Sequence, residues 1–503
     1  LLFRGKKKTK VKNKKSKVMT FKELGNVKIK EGYLNQFYFD KLGDGYLLTN
    51  DFGSYAFLSL EDFRSLLEGK LDEKADLYQD LRKKGFIRRD LSEYGPLVAQ
   101  YQKCKGSLFS GPGLHIVVVT ERCNQNCIYC QASAKGMKDS SLDMDKETAQ
   151  KTVDRILEAT SPVITIEFQG GEPLVNWEVV KFIVKYAKKE AKKIGKKARF
   201  SLVTNLSLMD EEKMDFLNRE IIGVCTSLDG PREVHNRNRP YPKGDSYGET
   251  VKWIERYREK QNELQKEGRD KMRISSLVTI SKISLDYPKE IVDEYMRLGF
   301  PGIHLRPLSY LGYSAGNFKQ QMGYSMEDFM DFWRKALDYI MELNIEGNFF
   351  RERGVELMLK KILAKNDPGF TDLRSPCGAA TGQMLYNHDG DVFTCDEGRM
   401  VEEDIFKIGN VFEDGYEEMI NSDTTHAMMT ASLLENEPCH NCVYKPYCGV
   451  CPVKNYEHCG TLFPQIKNTE WCKLHKGQFD YIFSKLKEEK YKKILEGWIS
   501  SPK

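Results

Sequence analysis

His115-Ile116-Val117-Val118-Val119-Thr120-Glu121-Arg122-Cys123-Asn124-Gln125-Asn126-Cys127-Ile128-Tyr129-Cys130 joins a β-branched run to three cysteines. The run from His115 to Thr120 has the composition of a buried strand. Cys123, Cys127 and Cys130 follow at x3 and x2 spacing on one short loop. Thiolates spaced in this way bind three irons of a four-iron cubane and leave the fourth iron open to another ligand. A zinc site is normally closed by four ligands, and no fourth one stands near.

Outward from this loop, strand-like and helical stretches alternate. Further strands are expected at Val163 to Phe168, Arg199 to Thr204, Ile222 to Ser227, Arg273 to Ile280 and Gly302 to Arg306. Amphipathic helices are expected between them, at Thr148 to Ala159, Val179 to Lys193 and Tyr247 to Gln265. Such alternation implies parallel strands with right-handed crossovers, and six units would curl into a partial (β/α)6 TIM-like barrel, so the fold class is α/β. Working residues are then expected just past the C-terminal strand ends. The second strand ends in Gln169-Gly170-Gly171-Glu172-Pro173, where two glycines let backbone pass close to a ligand and a carboxylate can accept from an ammonium group.

The cysteine spacing, with an aromatic residue before the last cysteine and a strand before the first, resembles the radical S-adenosylmethionine (SAM) superfamily signature. The resemblance implies a four-iron four-sulfur cluster that cleaves SAM to a 5′-deoxyadenosyl radical. It implies that Gly170, Gly171, Glu172 and Pro173 serve the SAM amino group. Thr204 and Asn205 after strand three, and Ser227 after strand four, become candidate SAM contacts, with Asp229 either a contact or a brace for its loop. His235-Asn236-x-Asn238-Arg239-Pro240 is similar to a stretch that peptide maturases of this superfamily carry after the same strand, which adds Arg239.

Eight of the thirteen cysteines lie between Cys377 and Cys472. The pattern is Cys377-x12-Gly390-x4-Cys395, then Cys439-x2-Cys442-x5-Cys448-x2-Cys451, and finally Cys472. Paired C-x2-C units alone would favour a zinc ribbon. After a radical SAM core they resemble the SPASM domain, which houses one or two auxiliary four-iron clusters. That resemblance implies one cluster on Cys439, Cys442, Cys448 and Cys472, and another on Cys377, Cys395 and Cys451, with an open iron for substrate or Cys459. Two departures from the SPASM pattern stand out: x2 replaces the usual x3 before Cys451, and a further cysteine shortly after the first is absent. Asp396, directly after Cys395, resembles the catalytic proton acceptor of anaerobic sulfatase maturases; the alternative is a surface turn residue. Cys225 reads as a core residue and Cys104 as part of a linker.

The chain has 503 residues and a net charge of +5, while residues 1 to 18 alone carry nine basic and no acidic side chains. The body is therefore near neutral, and residues 1–26 read as a disordered basic tail. Residues 27–93 form a small α+β unit, with a hairpin around Asp51-Phe52-Gly53-Ser54, that resembles a winged-helix peptide-recognition module; a plain structural cap is the alternative. A linker (94–113), the core barrel (114–310), a helical connection (311–370), the cysteine-rich iron–sulfur SPASM domain (371–478) and a closing helix (479–503) complete the expected order. No apolar run approaches the roughly 20 residues that cross a bilayer, and no signal peptide follows the tail, so the expected location is cytoplasmic, without a membrane partner.

Tyr46-Leu47-Leu48-Thr49-Asn50-Asp51, Phe168 to Leu174, Ser227 to Pro240, Gly244 to Tyr247 and Leu305-Arg306-Pro307-Leu308-Ser309 look like the His-Xaa-Ser system radical SAM maturases. The resemblance implies an oxidoreductase-type enzyme acting on a ribosomally made precursor peptide, with a crosslink the favoured product and a flavodoxin or ferredoxin as reductant. Two alternatives are protein oxidation of the anaerobic sulfatase-maturase kind and modification of RNA. The latter predicts a basic binding face, which the body of the chain does not show.

Overall fold

The computed structural model describes residues 27–268, 274–312, 322–401, 403–435 and 438–500. The basic tail, most of the loop before the fifth core strand and the last three residues lie outside them. Three strands, β1 (Tyr38–Leu42), β2 (Gly45–Thr49) and β3 (Tyr55–Leu58), form an antiparallel sheet in that order. The expected hairpin is there, with Thr49 opposite Tyr55. Helices Leu60–Glu68 and Asp76–Lys83 cover the sheet. Ser59 caps the first by accepting from the Asp62 amide, and Gly69 ends it in the left-handed conformation.

Phe63 is fully buried at the centre of this small unit, with ring centroids 4.8 Å from Tyr46 and 5.0 Å from Phe39. Phe63→Ala is expected to remove about 3–5 kcal/mol of packing. Limited proteolysis with mass mapping should then cut within residues 27–93 while the sheet from Leu114 onward stays resistant. The unit does not stand apart: the Thr49 hydroxyl donates to the Val443 carbonyl at 2.6 Å, and the Tyr447 hydroxyl donates to the Gly53 and Ser54 carbonyls, both at 3.3 Å.

The central sheet has nine strands. From one edge inward stand β10 (Leu305–Pro307), β8 (Ile274–Ile280), β7 (Gly223–Ser227), β6 (Lys197–Thr204), β5 (Val163–Gly170) and β4 (Leu114–Thr120), all parallel. This is the expected α/β fold with a partial barrel. The last expected strand is divided: Gly302–Ile303 (β9) pairs instead with Arg351–Glu352 (β11), and only Leu305–Pro307 joins the main sheet. The crossover helices Lys146–Glu158, Trp177–Lys193 and Ser246–Lys266 lie where periodicity puts them, the first capped by Asp145.

The barrel's other edge is not free. β12 (Gln383–Tyr386) pairs parallel with β4, and β13 (Asp391–Phe393) and β14 (Lys407–Asn410) continue antiparallel from it. The cysteine-rich region is thus an extension of the barrel sheet. Two helical expectations need correction. The helical connection (311–370) holds two helices, Met326–Ile345 and Arg353–Ile362, interrupted near Gly347. The closing stretch is also two, Glu470–Leu486 and Glu489–Ser500, and the first runs across position 478. Among the described residues no helix is long and apolar enough to cross a membrane.

Candidate active site

The cysteine loop is fixed by backbone hydrogen bonds from three directions. Cys123 N donates to Lys135 O at 2.8 Å, Asn126 N to Pro240 O at 2.9 Å, and Ile128 N to Asn238 O at 2.9 Å. The His235–Pro240 stretch therefore cradles the loop. The Gly-Gly segment holds it from below: Gly171 N donates to Thr120 O at 2.9 Å and Glu172 N to Arg122 O at 2.8 Å. A Cβ on Gly170, whose φ is +139°, would stand 2.1 Å from Thr120 O, and one on Gly171 would stand 2.2 Å from Arg122 O. Only glycine permits this approach.

The three thiols share one wall of a cavity of about 330 Å3 with Gly170, Gly171, Thr204, Asn205, Ser227 and Arg239. Burial pushes Cys123 up to about 12 and Cys127 up to about 11, so isolated thiols would stay protonated. Bound iron reverses that preference. The surroundings suit thiolates: Gln125 N lies 3.5 Å and Asn205 Nδ2 3.8 Å from Cys123 Sγ, and Arg239 Nη1 lies 3.7 Å from Cys127 Sγ. Among the described residues no three Cys, His, Asp or Glu side chains converge on one ion. Cubane ligands each bind a different iron and stand further apart.

Glu172 and Asp229 are buried and are not among the residues that line the cavity. Glu172 is 1% exposed and sits behind the cavity wall. Its carboxylate accepts from Leu174 N at 3.1 Å, the Thr204 hydroxyl at 2.7 Å and Asn205 N at 2.8 Å, which ties the end of β5 to that of β6. Burial raises it to about 7. Pro173 is buried with it. Asp229, fully buried, accepts from Arg239 Nε at 3.0 Å, Thr279 N at 3.3 Å and the Tyr129 hydroxyl, and so fixes the guanidinium that faces Cys127. These bonds tie its loop to Tyr129 and Arg239.

The same cavity is lined by Cys451, Asp372, Glu397, Arg306, Lys454 and Trp471. Cys377, Cys395 and Cys451 are packed into one buried group with Leu311, Phe406 and Met428. Cys448 lies within electrostatic reach of Cys439, Cys442 and Cys472, forming the second group. The two sets that the SPASM resemblance implies are therefore brought together separately. Cys459 is exposed at the end of helix Pro452–Cys459. Cys225 is half-buried within β7, and the Cys104 thiol faces Lys365 O at 3.4 Å.

Asp396 opens the short helix Asp396–Arg399 and is hydrogen-bonded to Glu397. Burial, reinforced by Glu397, holds Asp396 well above the usual carboxylate range. Burial also works to raise Glu397, but its bond to Asp396 and the neighbouring Arg306 and Lys454 keep it low. The arrangement is a proton-sharing pair with Glu397 at the cavity wall and Asp396 behind it. Glu397 was open to sequence reading only as the next residue in Thr394-Cys395-Asp396-Glu397.

Glu352 closes another part of the wall, 1% exposed, accepting from Leu305 N at 2.9 Å and Val355 N at 2.6 Å. Burial raises it from 4.5 to about 7. The native state then binds more protons than the unfolded chain between those values, so this group's contribution is full below about pH 4.5 and is lost as pH rises through about 7. Its size is about 3 kcal/mol at most. Glu352→Gln keeps only one of the two acceptor contacts, because Leu305 N and Val355 N bond different carboxyl oxygens, and is expected to lower stability at every pH while flattening that part of the stability-versus-pH curve, measured by thermal scanning of the apo protein.

The radical SAM superfamily profile matches residues 117–264, and that of SPASM, an iron–sulfur cluster-binding domain, matches 377–443. The chain thus carries a radical SAM domain followed by a SPASM domain, which imply SAM, a four-iron four-sulfur cluster and auxiliary clusters as cofactors. The chain is 25% identical to the cysteine-type anaerobic sulfatase-maturating enzyme of Clostridium perfringens over 72% of this chain and 94% of that protein. It is 24% identical to the serine-type anaerobic sulfatase-maturating enzyme of Bacteroides thetaiotaomicron over 72% of this chain and 86% of that one. A solved structure, native anSMEcpe with bound AdoMet, superposes with a TM-score of 0.61 at 22% identity, covering 75% of this chain and 99% of that one, and shares the fold.

Proposed function

We propose that this chain modifies a peptide or protein substrate by SAM-derived radical chemistry and that the outcome is oxidative. One observation carries the reading: Cys123, Cys127 and Cys130 face the same cavity as Cys451, Asp372 and Glu397. When bound, the cluster on the first three cysteines supplies the electron that cleaves SAM, and the resulting 5′-deoxyadenosyl radical removes a hydrogen atom from the substrate. Gly170 and Gly171 line the near wall with backbone, while Thr204, Asn205 and Ser227 offer polar side chains to the nucleoside and amino-acid parts of SAM. Arg239, held by Asp229, keeps positive charge beside Cys127. At the same cavity, the Glu397–Asp396 pair accepts the proton that an oxidised substrate must release. Auxiliary clusters on Cys377, Cys395 and Cys451 and on Cys439, Cys442, Cys448 and Cys472 suit loss of an electron.

A ribosomally made precursor peptide with a crosslink as product remains the first reading of the substrate, with a flavodoxin or ferredoxin as reductant. The sulfatase-maturating relatives support a second, oxidation of a protein side chain. Coexpression with a short peptide encoded beside this chain, followed by mass spectrometry, tests whether the outcome is oxidative. Loss of two hydrogens is the expected result for an oxidised or crosslinked peptide. An unchanged mass together with substrate-dependent 5′-deoxyadenosine would replace oxidation by epimerisation.

A further inference from the structure

We infer that the carboxylate of Asp372 is the fourth protein ligand of the auxiliary cluster whose thiolates come from Cys377, Cys395 and Cys451. A cubane has four irons, and three cysteines reach three of them. Cys459 does not complete the set: it is exposed, at the far end of an eight-residue helix that begins beside Cys451. Eight helical residues carry the chain about 12 Å along the axis.

Asp372 stands beside two of these cysteines, Cys377 and Cys451. It sits on the single turn Thr371–Leu373, five residues before Cys377, and shares the cavity wall with Cys451. The Cys451 loop is pressed against this turn: a Cβ on Gly449 would stand 2.3 Å from Asp372 O and 2.8 Å from Arg374 O. The turn and the loop are thus locked together, and the Asp372 carboxylate lies within electrostatic reach of both Cys377 and Cys451. The other acids on this wall are engaged, Glu397 by Asp396 and Arg306, Glu470 by Lys473, and Glu352 by backbone amides. Among the described residues no hydrogen bond engages the Asp372 carboxylate, whose charged neighbours are Glu397, Arg306 and Lys454.

Iron accepts carboxylate as well as thiolate ligands, and oxygen donates less charge to it than sulfur. On loading, an iron–oxygen bond forms and any proton on the carboxyl passes to solvent; the cluster's redox state does not change. A cluster with one carboxylate is easier to reduce than one with four thiolates, which suits a site that takes an electron from a substrate. The inference rests on the assignment of the three cysteines to one cluster and not on which substrate is modified.

The test uses the full chain, reconstituted anaerobically, with Cys123, Cys127 and Cys130 replaced by Ala so that only auxiliary clusters are seen. Asp372→Cys is expected to keep the iron content and to move that cluster's midpoint potential to more negative values in an EPR-monitored redox titration. Asp372→Ala should leave an iron open, so that added cyanide alters its EPR spectrum while the parent with Asp372 is unaffected. Cys459→Ala serves as the control and should resemble the parent. Equal cyanide response in the parent and in Asp372→Ala, or an unchanged potential in Asp372→Cys, would overturn the assignment. A Cys377→Ala variant with undiminished iron would overturn it too, by removing the cluster itself, and would leave the proposed radical chemistry at Cys123, Cys127 and Cys130 standing.

Discussion

Cys127→Ala is expected to abolish 5′-deoxyadenosine formation. Cys127 is central to the loop, between Asn126, whose amide is held by Pro240, and Ile128, whose amide is held by Asn238. Its sulfur also receives the Arg239 guanidinium at 3.7 Å. With two thiolates in place of three, the loop has no means of holding the cubane, and about four irons per chain should be lost. The auxiliary groups lie on other segments and should keep theirs. After anaerobic reconstitution with SAM and dithionite, chromatography should find 5′-deoxyadenosine at the level of a reaction without protein, a loss limited only by detection. Product in this variant above that background would sink the assignment of the radical-forming cluster. Cys104→Ser, on a thiol distant from this loop in sequence and facing Lys365 O, should leave both iron and product unchanged.

Much of this architecture is local in the sequence and therefore legible there. Val117 to Val119 are fully buried because a strand between two parallel neighbours has no solvent face, and a continuous apolar run records that directly. Gly170 and Gly171 read as a close backbone approach, and they are one, although the partner is the cysteine loop. What the sequence conceals is pairing over distance. Nothing in Gln383-Met384-Leu385-Tyr386 announces that it will lie beside Leu114 to Val117. The same limit explains the acids. Glu172 reads as an acceptor for an ammonium group, and the fold adds three chain donors to it; Asp396 reads as the acid beside Cys395, and the fold sets its neighbour Glu397 at the cavity. Which side of a short helix faces a cavity depends on what packs behind it.

Asp229→Ala is expected to lower stability as well as activity, and the two effects together separate a brace from a SAM ligand. The Asp229 side chain is fully buried, and the Arg239 side chain it pairs with is only 10% exposed. Replacing such a pair by apolar residues can be neutral, but removing one partner leaves a buried charge without compensation, at about 3–5 kcal/mol. The Tyr129 hydroxyl and the Thr279 amide lose an acceptor in the same step. Tyr129 stands directly before Cys130, and Arg239 lies over the Tyr129 ring at 5.3 Å, so the damage reaches the loop that holds the cluster. A partner one step behind the metal ligands typically costs about 10–100-fold when lost, and a fall of that size in 5′-deoxyadenosine formation is expected here. Asp229→Asn keeps the shape and an acceptor oxygen but not the charge, and should fall between the two. The deciding measurement is thermal unfolding of the protein before reconstitution. A brace lowers the unfolding temperature without iron or SAM present, whereas a pure SAM contact leaves it unchanged and raises only the SAM concentration needed for half-maximal rate.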